Sequence, residues 1–352
     1  MANQTPAAKQ QLSPALKAQL FAQATRQNWQ PLPAQALVEG GSVSFNIPKV
    51  RLLSRVLVDI TGTFKAAHAT LTSLTKARFA PFSLVKQARM QINNGFNPYQ
   101  VSGKGGYIYN STSKAVDVVD AITTLGNTAS VAGTTNSISM LLDLSTVLND
   151  RDPVGLVLAQ NQETVITVTL DFNTIAALFA DAGITISSVA VNVTPIVETY
   201  SIPAAVDAIP DLSVLKLVMD QAYSIAASGS TFYIKMPVGL TYRKILLNFE
   251  DGSGAALTDA QIGNLSIVFN QADTPYIVPA AVLRKMNTMM YGAALPAGVL
   301  AFDFSYQGIP NLGGARDYID TERLTEFWIS CVPRTTGTVQ VISETLARLA
   351  GV

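Results

Sequence analysis

Two stretches of this sequence, GGSVSFNIPKVRLLSRVLVDI from Gly40 and GSTFYIKMPVGLTYRKILLNF from Gly229, align without gaps at a spacing of 189 positions. The alignment pairs Gly40 with Gly229, Pro48 with Pro237, Arg55 with Lys244 and Leu57 with Leu246. Further on, INNGFNPYQV (Ile92 to Val101) meets FNQADTPYIV (Phe269 to Val278) at a spacing of 177. LDLS (Leu142 to Ser145) then meets FDFS (Phe302 to Ser305) at 160, and VAV (Val189 to Val191) meets VQV (Val339 to Val341) at 150. Four matches in one order, with a spacing that only shrinks, describe two similar units of which the first carries the longer loops. A duplicated unit limits the fold more than any short motif in the chain.

The units are built of strands. Val43, Phe45 and Ile47 alternate with Ser42, Ser44 and Asn46, the period of two expected of a half-buried strand. The same period runs through Phe232, Ile234 and Met236, through Ile166, Val168, Leu170 and Phe172, and through Val189, Val191 and Val193. VLVDI and ILLNF are more uniformly apolar and should lie centrally. Strands separated by Gly, Pro and Asn turns argue for antiparallel sandwiches.

Helical spacing interrupts the strands at Ala115, Val118, Val119 and Ile122, at Ile175, Leu178 and Phe179, and at Val282, Met286, Met289 and Met290. The first and third patches fall between the Pro-Tyr strand and the LDLS or FDFS strand, so a helix in a long loop belongs to the repeat. LSVLKLVMDQAYSIA, in the segment joining the copies, reads as a helix. The Gly-rich polar run GKGGYIYNSTS at 103–113 reads as surface loop.

Residues 1 to 38 are compositionally separate, with eight Gln, three basic residues and no acidic residue. Ser13-Pro14 is a helix start, and Leu12, Leu16 and Leu20, with Phe21 and Ala24, form a weak apolar stripe running to about Asn28-Trp29. This segment reads as an arm without a core of its own. Its basic and apolar side chains (Lys9, Leu16, Lys17, Leu20, Phe21, Arg26 and Trp29) suit a membrane interface or a neighbouring subunit. One arm supplies a few kcal/mol at most, so many copies would have to act together.

Composition limits the function. Only 14% of residues are charged, against about a quarter in a typical soluble domain, which fits a surface largely covered by other copies. A neutral extracellular protein rich in Ser, Thr, Asn and Gln is the competing account. The formal net charge is zero, so no field attracts nucleic acid. The one cysteine, Cys331 in EFWISCV, forms no internal disulfide, and the chain is expected to mature in a reducing compartment. Neither a signal-peptide pattern nor a spanning apolar run is read, so synthesis in the cytosol is expected.

Catalytic groups are scarce. His68 is the only histidine, which excludes a histidine metal cluster and leaves a Ser-His-Asp triad one candidate, with no serine elbow. Asp117 with Asp120 reads as a solvated helix face and Asp150 with Asp152 as a polar turn. SGKGG from Ser102 lacks P-loop spacing. Trp328, between Phe327 and Ile329, reads as core. No enzyme, cofactor or metal site is expected.

Two co-linear β-sandwiches, a helix in a long loop of each and a separate N-terminal arm resemble the double jelly-roll major capsid proteins. These are the coat proteins of tailless icosahedral bacteriophages with an internal membrane, the tectivirus type, and their relatives. The strand after Pro48, INNGFNPY and FDFSYQGIPNLGGARDYIDTERL also look like that family. The resemblance implies an all-β fold of two tandem eight-stranded jelly rolls, with short helices in loops and an N-terminal helical arm. The expected division is arm 1–38, first jelly roll 39–203, linker 204–229 and second jelly roll 230–352. It further implies homotrimers with six lobes that tile an icosahedral virion shell, loops near 103–136 on the outer surface, and the arm facing an internal membrane. Partners would be other copies, vertex proteins and lipid, without sequence-specific nucleic acid. A phage spike, adhesin or surface-layer subunit, and a jelly-roll carbohydrate-active enzyme or lectin, stay open as alternatives.

Overall fold

The computed structural model describes residues 13–93, 95–148, 154–160, 163–204, 208–209, 212–305 and 318–348. Lys9, Leu12, the Asp150 and Asp152 turn and residues 306–317 lie outside them. Among the described residues, sixteen principal strands fall into two sets of eight. The first set is β1 (Gln27–Pro31), β2 (Ser42–Asn46), β3 (Leu52–Ala67), β4 (Val85–Ile92), β5 (Phe96–Val101), β6 (Thr134–Ser145), β7 (Ile166–Phe172) and β8 (Thr185–Tyr200). The second is β9 (Val214–Ile225), β10 (Phe232–Met236), β11 (Thr241–Asp251), β12 (Asn264–Phe269), β13 (Asp273–Pro279), β14 (Val299–Asp303), β15 (Phe327–Cys331) and β16 (Gly337–Arg348).

The strand order repeats with the sequence. In the first set β1-β8-β3-β6 faces β2-β7-β4-β5; in the second β9-β16-β11-β14 faces β10-β15-β12-β13. Each order is that of a jelly roll, and adding eight to any first-set strand gives its second-set counterpart. The matched segments therefore occupy equivalent strands. Alternation decides which side is buried: Val43 and Phe45 of β2 are buried while Ser42, Ser44 and Asn46 are exposed, and Val168 and Leu170 of β7 lie wholly inside. One apolar core fills each sandwich. The second contains Ile245, Leu247, Phe249, Ile267 and Ile329.

The two jelly rolls share a sheet. β5 runs parallel to β9, with Tyr99 opposite Val218 and Gln100 opposite Met219, so the inner sheet of the first sandwich continues into the outer sheet of the second. Every other pairing between the sixteen strands is antiparallel.

Several sequence expectations change. LSVLKLVMDQAYSIA holds strand β9, because twelve consecutive residues pair with β16, from Val214 opposite Arg348 to Ile225 opposite Gly337. Helix α1 (Pro14–Ala24), capped by Ser13 accepting from the Leu16 N–H at 3.3 Å, ends five residues before Trp29. Trp29 belongs instead to β1, opposite Glu198. The first strands of both jelly rolls thus lie inside the segments read as arm (1–38) and linker (204–229). The expected 175–179 helix is a single 3-10 turn, Ile175–Leu178. Trp328 alternates outward between buried Phe327 and Ile329, half-buried against Tyr233.

The largest change concerns residues 103–113. They form helix α2 (Gly103–Ser113), capped by Ser102 and buried along most of its length. α2 directly follows β5 as α5 (Ala280–Tyr291), which comes after the single-turn α4 (Asp259–Ile262), follows β13, so α2 is the counterpart of α5. The expected helix at Ala115 to Ile122 exists as the shorter α3 (Val116–Ala121). Two glycines of α2, Gly103 and Gly105, are steric. A Cβ on Gly103 would collide with the Phe82 carbonyl and crowd Val85. The variant Gly103→Ala should therefore lower stability by about 1–3 kcal/mol in denaturant unfolding, as overpacking does.

Candidate functional site

The groups singled out for chemistry are spread through the structure in separate roles. The Nδ1 of His68 accepts from the backbone N–H groups of Thr70 (3.1 Å) and Leu71 (2.9 Å), which leaves Nε2–H to donate to the Ala182 carbonyl (3.1 Å). The imidazole is a turn cap. Asp120 accepts from the Tyr107 hydroxyl at 2.9 Å. Among the described residues no group of three or more His, Cys, Asp or Glu could hold a metal ion, and no helix is long and apolar enough to cross a membrane.

Polar chemistry concentrates where α2 lies on the outer face of the second sandwich. Alternation in β9, β11, β14 and β16 puts Ile225, Ile245, Leu247, Leu300, Val339 and Val341 into the second core. The intervening residues therefore face the first sandwich. Val218, Leu246 and Ile342, none with any exposed surface, join the first core's apolar cluster. Each contributes about 1.5–3 kcal/mol through burial.

Charged partners lie around these three. Asp220 of β9 accepts from the Ser102 N–H (2.8 Å), the Ser102 hydroxyl (2.6 Å) and Gln340 (2.5 Å). Glu250 of β11 receives Lys104 (3.0 Å) and Arg78 (3.2 Å) from the first sandwich. Glu344 of β16 accepts from the Tyr109 hydroxyl at 2.6 Å and lies 3.3 Å from Arg243. Asp303 of β14 lies 3.4 Å from Lys244 and accepts from Tyr291 at 2.9 Å. Burial, reinforced by Glu344, pushes the Tyr109 hydroxyl well above its usual pKa. Tyr109 thus stays a proton donor.

The charges on this face repeat in the first sandwich. Arg55 of β3 lies 3.3 Å from Asp143 of β6 and 3.1 Å from Glu198 of β8. Lys244, Asp303 and Glu344 stand on the equivalent strands. The sequence matches of Arg55 with Lys244 and LDLS with FDFS already held this signal. The interfacial roles of Tyr109, Lys216, Asp220 and Gln340 carried no sequence signal, because each depends on a partner more than 100 positions away.

The candidate arm residues divide. Phe21 is buried against Leu52, Val147 and Leu156, with its ring 5.8 Å from Tyr200, so it anchors α1 to its own sandwich and is closed to lipid or a neighbour. Lys17 and Leu20 are half-buried, Leu16 and Arg26 are exposed, and Trp29 is 49% exposed.

No protein-family model and no curated protein matches the sequence. Solved structures do match it. The fold is similar to that of the major capsid protein of Sulfolobus Turreted Icosahedral Virus, with a TM-score of 0.70 and 14% identity over 93% of this chain and 100% of that one. It is similar to a chain of the PBCV-1 virus capsid, with a TM-score of 0.65 and 11% identity over 92% and 94% of the two chains. The major capsid protein of bacteriophage PM2 matches with a TM-score of 0.53 and 12% identity over 93% and 99%. The shared property is the double jelly-roll fold.

Lys216, on β9 within this seam, yields a pH test. Burial outweighs its attraction to Glu344 and Asp143 and lowers its pKa from 10.5 to about 8. Below about pH 8 both folded and unfolded chains hold the proton, and the penalty of the buried cation is fully present. Between about 8 and 10.5 the unfolded chain holds more protons, so the Lys216 contribution becomes more favourable as pH rises. Unfolding of Lys216→Met against wild type should show a stability difference that shifts towards wild type across that window and is flat below it.

Proposed function

We propose that this chain is a major capsid protein whose homotrimers, six sandwiches each, tile an icosahedral virion shell. The observation that carries this reading is a double jelly-roll fold shared over nearly the full length of both chains with proteins named as viral major capsid proteins. Low charge density supports it, since subunits packed on several sides cover surface that would otherwise need charge for solubility. The fold supplies rigid, upright blocks; the assembled shell is the function, and it needs no catalytic group.

The same reading places the protein in the virion after synthesis in the host cytoplasm, with vertex proteins as further partners. The N-terminal segment is the inward-facing part in this proposal. Lys9, Leu16, Lys17, Leu20 and Arg26 would meet an internal membrane, because basic residues without acidic neighbours are drawn to anionic headgroups. Burial of Phe21 fixes where that segment leaves the first sandwich.

Light scattering of the purified native protein, with negative-stain imaging of the same peak, tests the proposal. The expected species has three times the 37.4 kDa chain mass and a hexagonal outline. A monomer at all concentrations, with no tendency to form a lattice, would overturn it.

A further inference from the structure

We infer that a second copy of this chain docks on the outer face of the first sandwich through α5 and β13, repeating between chains the seam that α2 and β5 make within one chain. The inference rests on the homotrimer reading and names the surfaces that would build it.

The donor side follows from the repeat spacing of 177. It carries Tyr99 of β5 onto Tyr276 of β13, and Gly105, Tyr109 and Thr112 of α2 onto Val282, Met286 and Met289 of α5. In α2 those positions are buried: Gly105 lies against Asp220 and Gln340, and Tyr109 bonds Glu344. In α5 they are open, with Val282 45%, Met286 47% and Met289 85% exposed. The opposite side of α5 is committed already, since Leu283 and Asn287 are buried and Arg284 holds Asp259 at 2.6 Å. Among the described residues β13 is likewise a free edge, where β5 is paired to β9. A row of exposed apolar side chains beside an unpaired strand edge is a docking feature.

The acceptor side follows from register. Val218 stands opposite Glu344 in the β9–β16 pair, and Trp29 stands opposite Glu198 in the β1–β8 pair. Trp29 is therefore the counterpart of Val218, which is wholly buried under the first sandwich. Leu57 and Ile196 are likewise the counterparts of buried Leu246 and Ile342, and both are only half-buried. One outer face is covered and its twin is open. The chemistry of the two seams differs in one respect. Met286 cannot supply the hydroxyl that Tyr109 gives Glu344, but Glu198 already holds Arg55 at 3.1 Å and the Tyr200 hydroxyl at 3.4 Å. Its charge is already paired with Arg55 before docking, so an apolar side chain can cover it without leaving a buried charge unpaired.

Donor and acceptor lie on different surfaces, so the contact is heterologous and forms either a closed ring or an open filament. Three chains close the ring in the homotrimer. The variant Met286→Asp with Met289→Asp changes exposed positions, and it should stay folded while its trimer dissociation constant rises roughly 30-fold or more. A second variant tests the register directly. Trp29→Cys with Tyr276→Cys should oxidise to a covalent trimer on non-reducing denaturing gels, while each single variant stays monomeric; Cys331 is buried and gives no background. A wild-type trimer that survives the aspartates and never cross-links would overturn this docking and leave the capsid reading standing. A wild-type monomer without lattice formation would overturn both.

Discussion

The seam between the sandwiches is the contact on which the molecule depends. Val218, Leu246 and Ile342 would face water if the second jelly roll stood alone, and Asp220, Glu250 and Glu344 would lose partners that come from the first. Breaking the seam would therefore expose apolar surface and strip charges of their bonds in one event, which couples the two halves. β5 and β9 extend the coupling to the backbone by sharing one sheet.

That seam explains a piece of composition that looks like loop. GKGG reads as flexible because glycine usually marks turns. Here the helix must approach the Phe82 carbonyl at Gly103 and the Asp220 and Gln340 side chains at Gly105, and side chains at either position would hold it away. Glycine costs helix propensity, which the cap at Ser102 and the surrounding packing offset. α5 has the ordinary helix residues Val282 and Leu283 where α2 has Gly105 and Gly106, and it lies against one sandwich rather than between two.

Duplication followed by unequal covering gives the chain a direction. The twin ionic groups, Arg55 with Glu198 and Asp143, and Arg243 and Lys244 with Glu344 and Asp303, show that both outer faces follow one plan. A chain with one covered face, one open face and one free helix has distinct head and tail surfaces. Self-association of such a chain is directional, which is the requirement for a closed ring rather than a two-fold dimer.

The class of fold was legible in the residues: period-two alternation in β2, β7 and β10 sets which side faces the core whatever the partners, because side chains alternate on any extended backbone. The repeat likewise determined that two equivalent sandwiches exist and that Arg55 and Lys244 are counterparts. What stayed hidden were the first strands of each unit and the burial of α2. β1 is an edge strand that shows no apolar alternation, since it buries neither face fully. β9 carries Lys216, Val218 and Asp220 on a face covered only by the distant first sandwich, so its pattern matches neither a surface strand nor a core one. Tertiary structure alone decided these, because both the ladder with β16 and the seat for α2 join residues more than 100 positions apart, and local sequence carries no energy term for a partner it has not yet met.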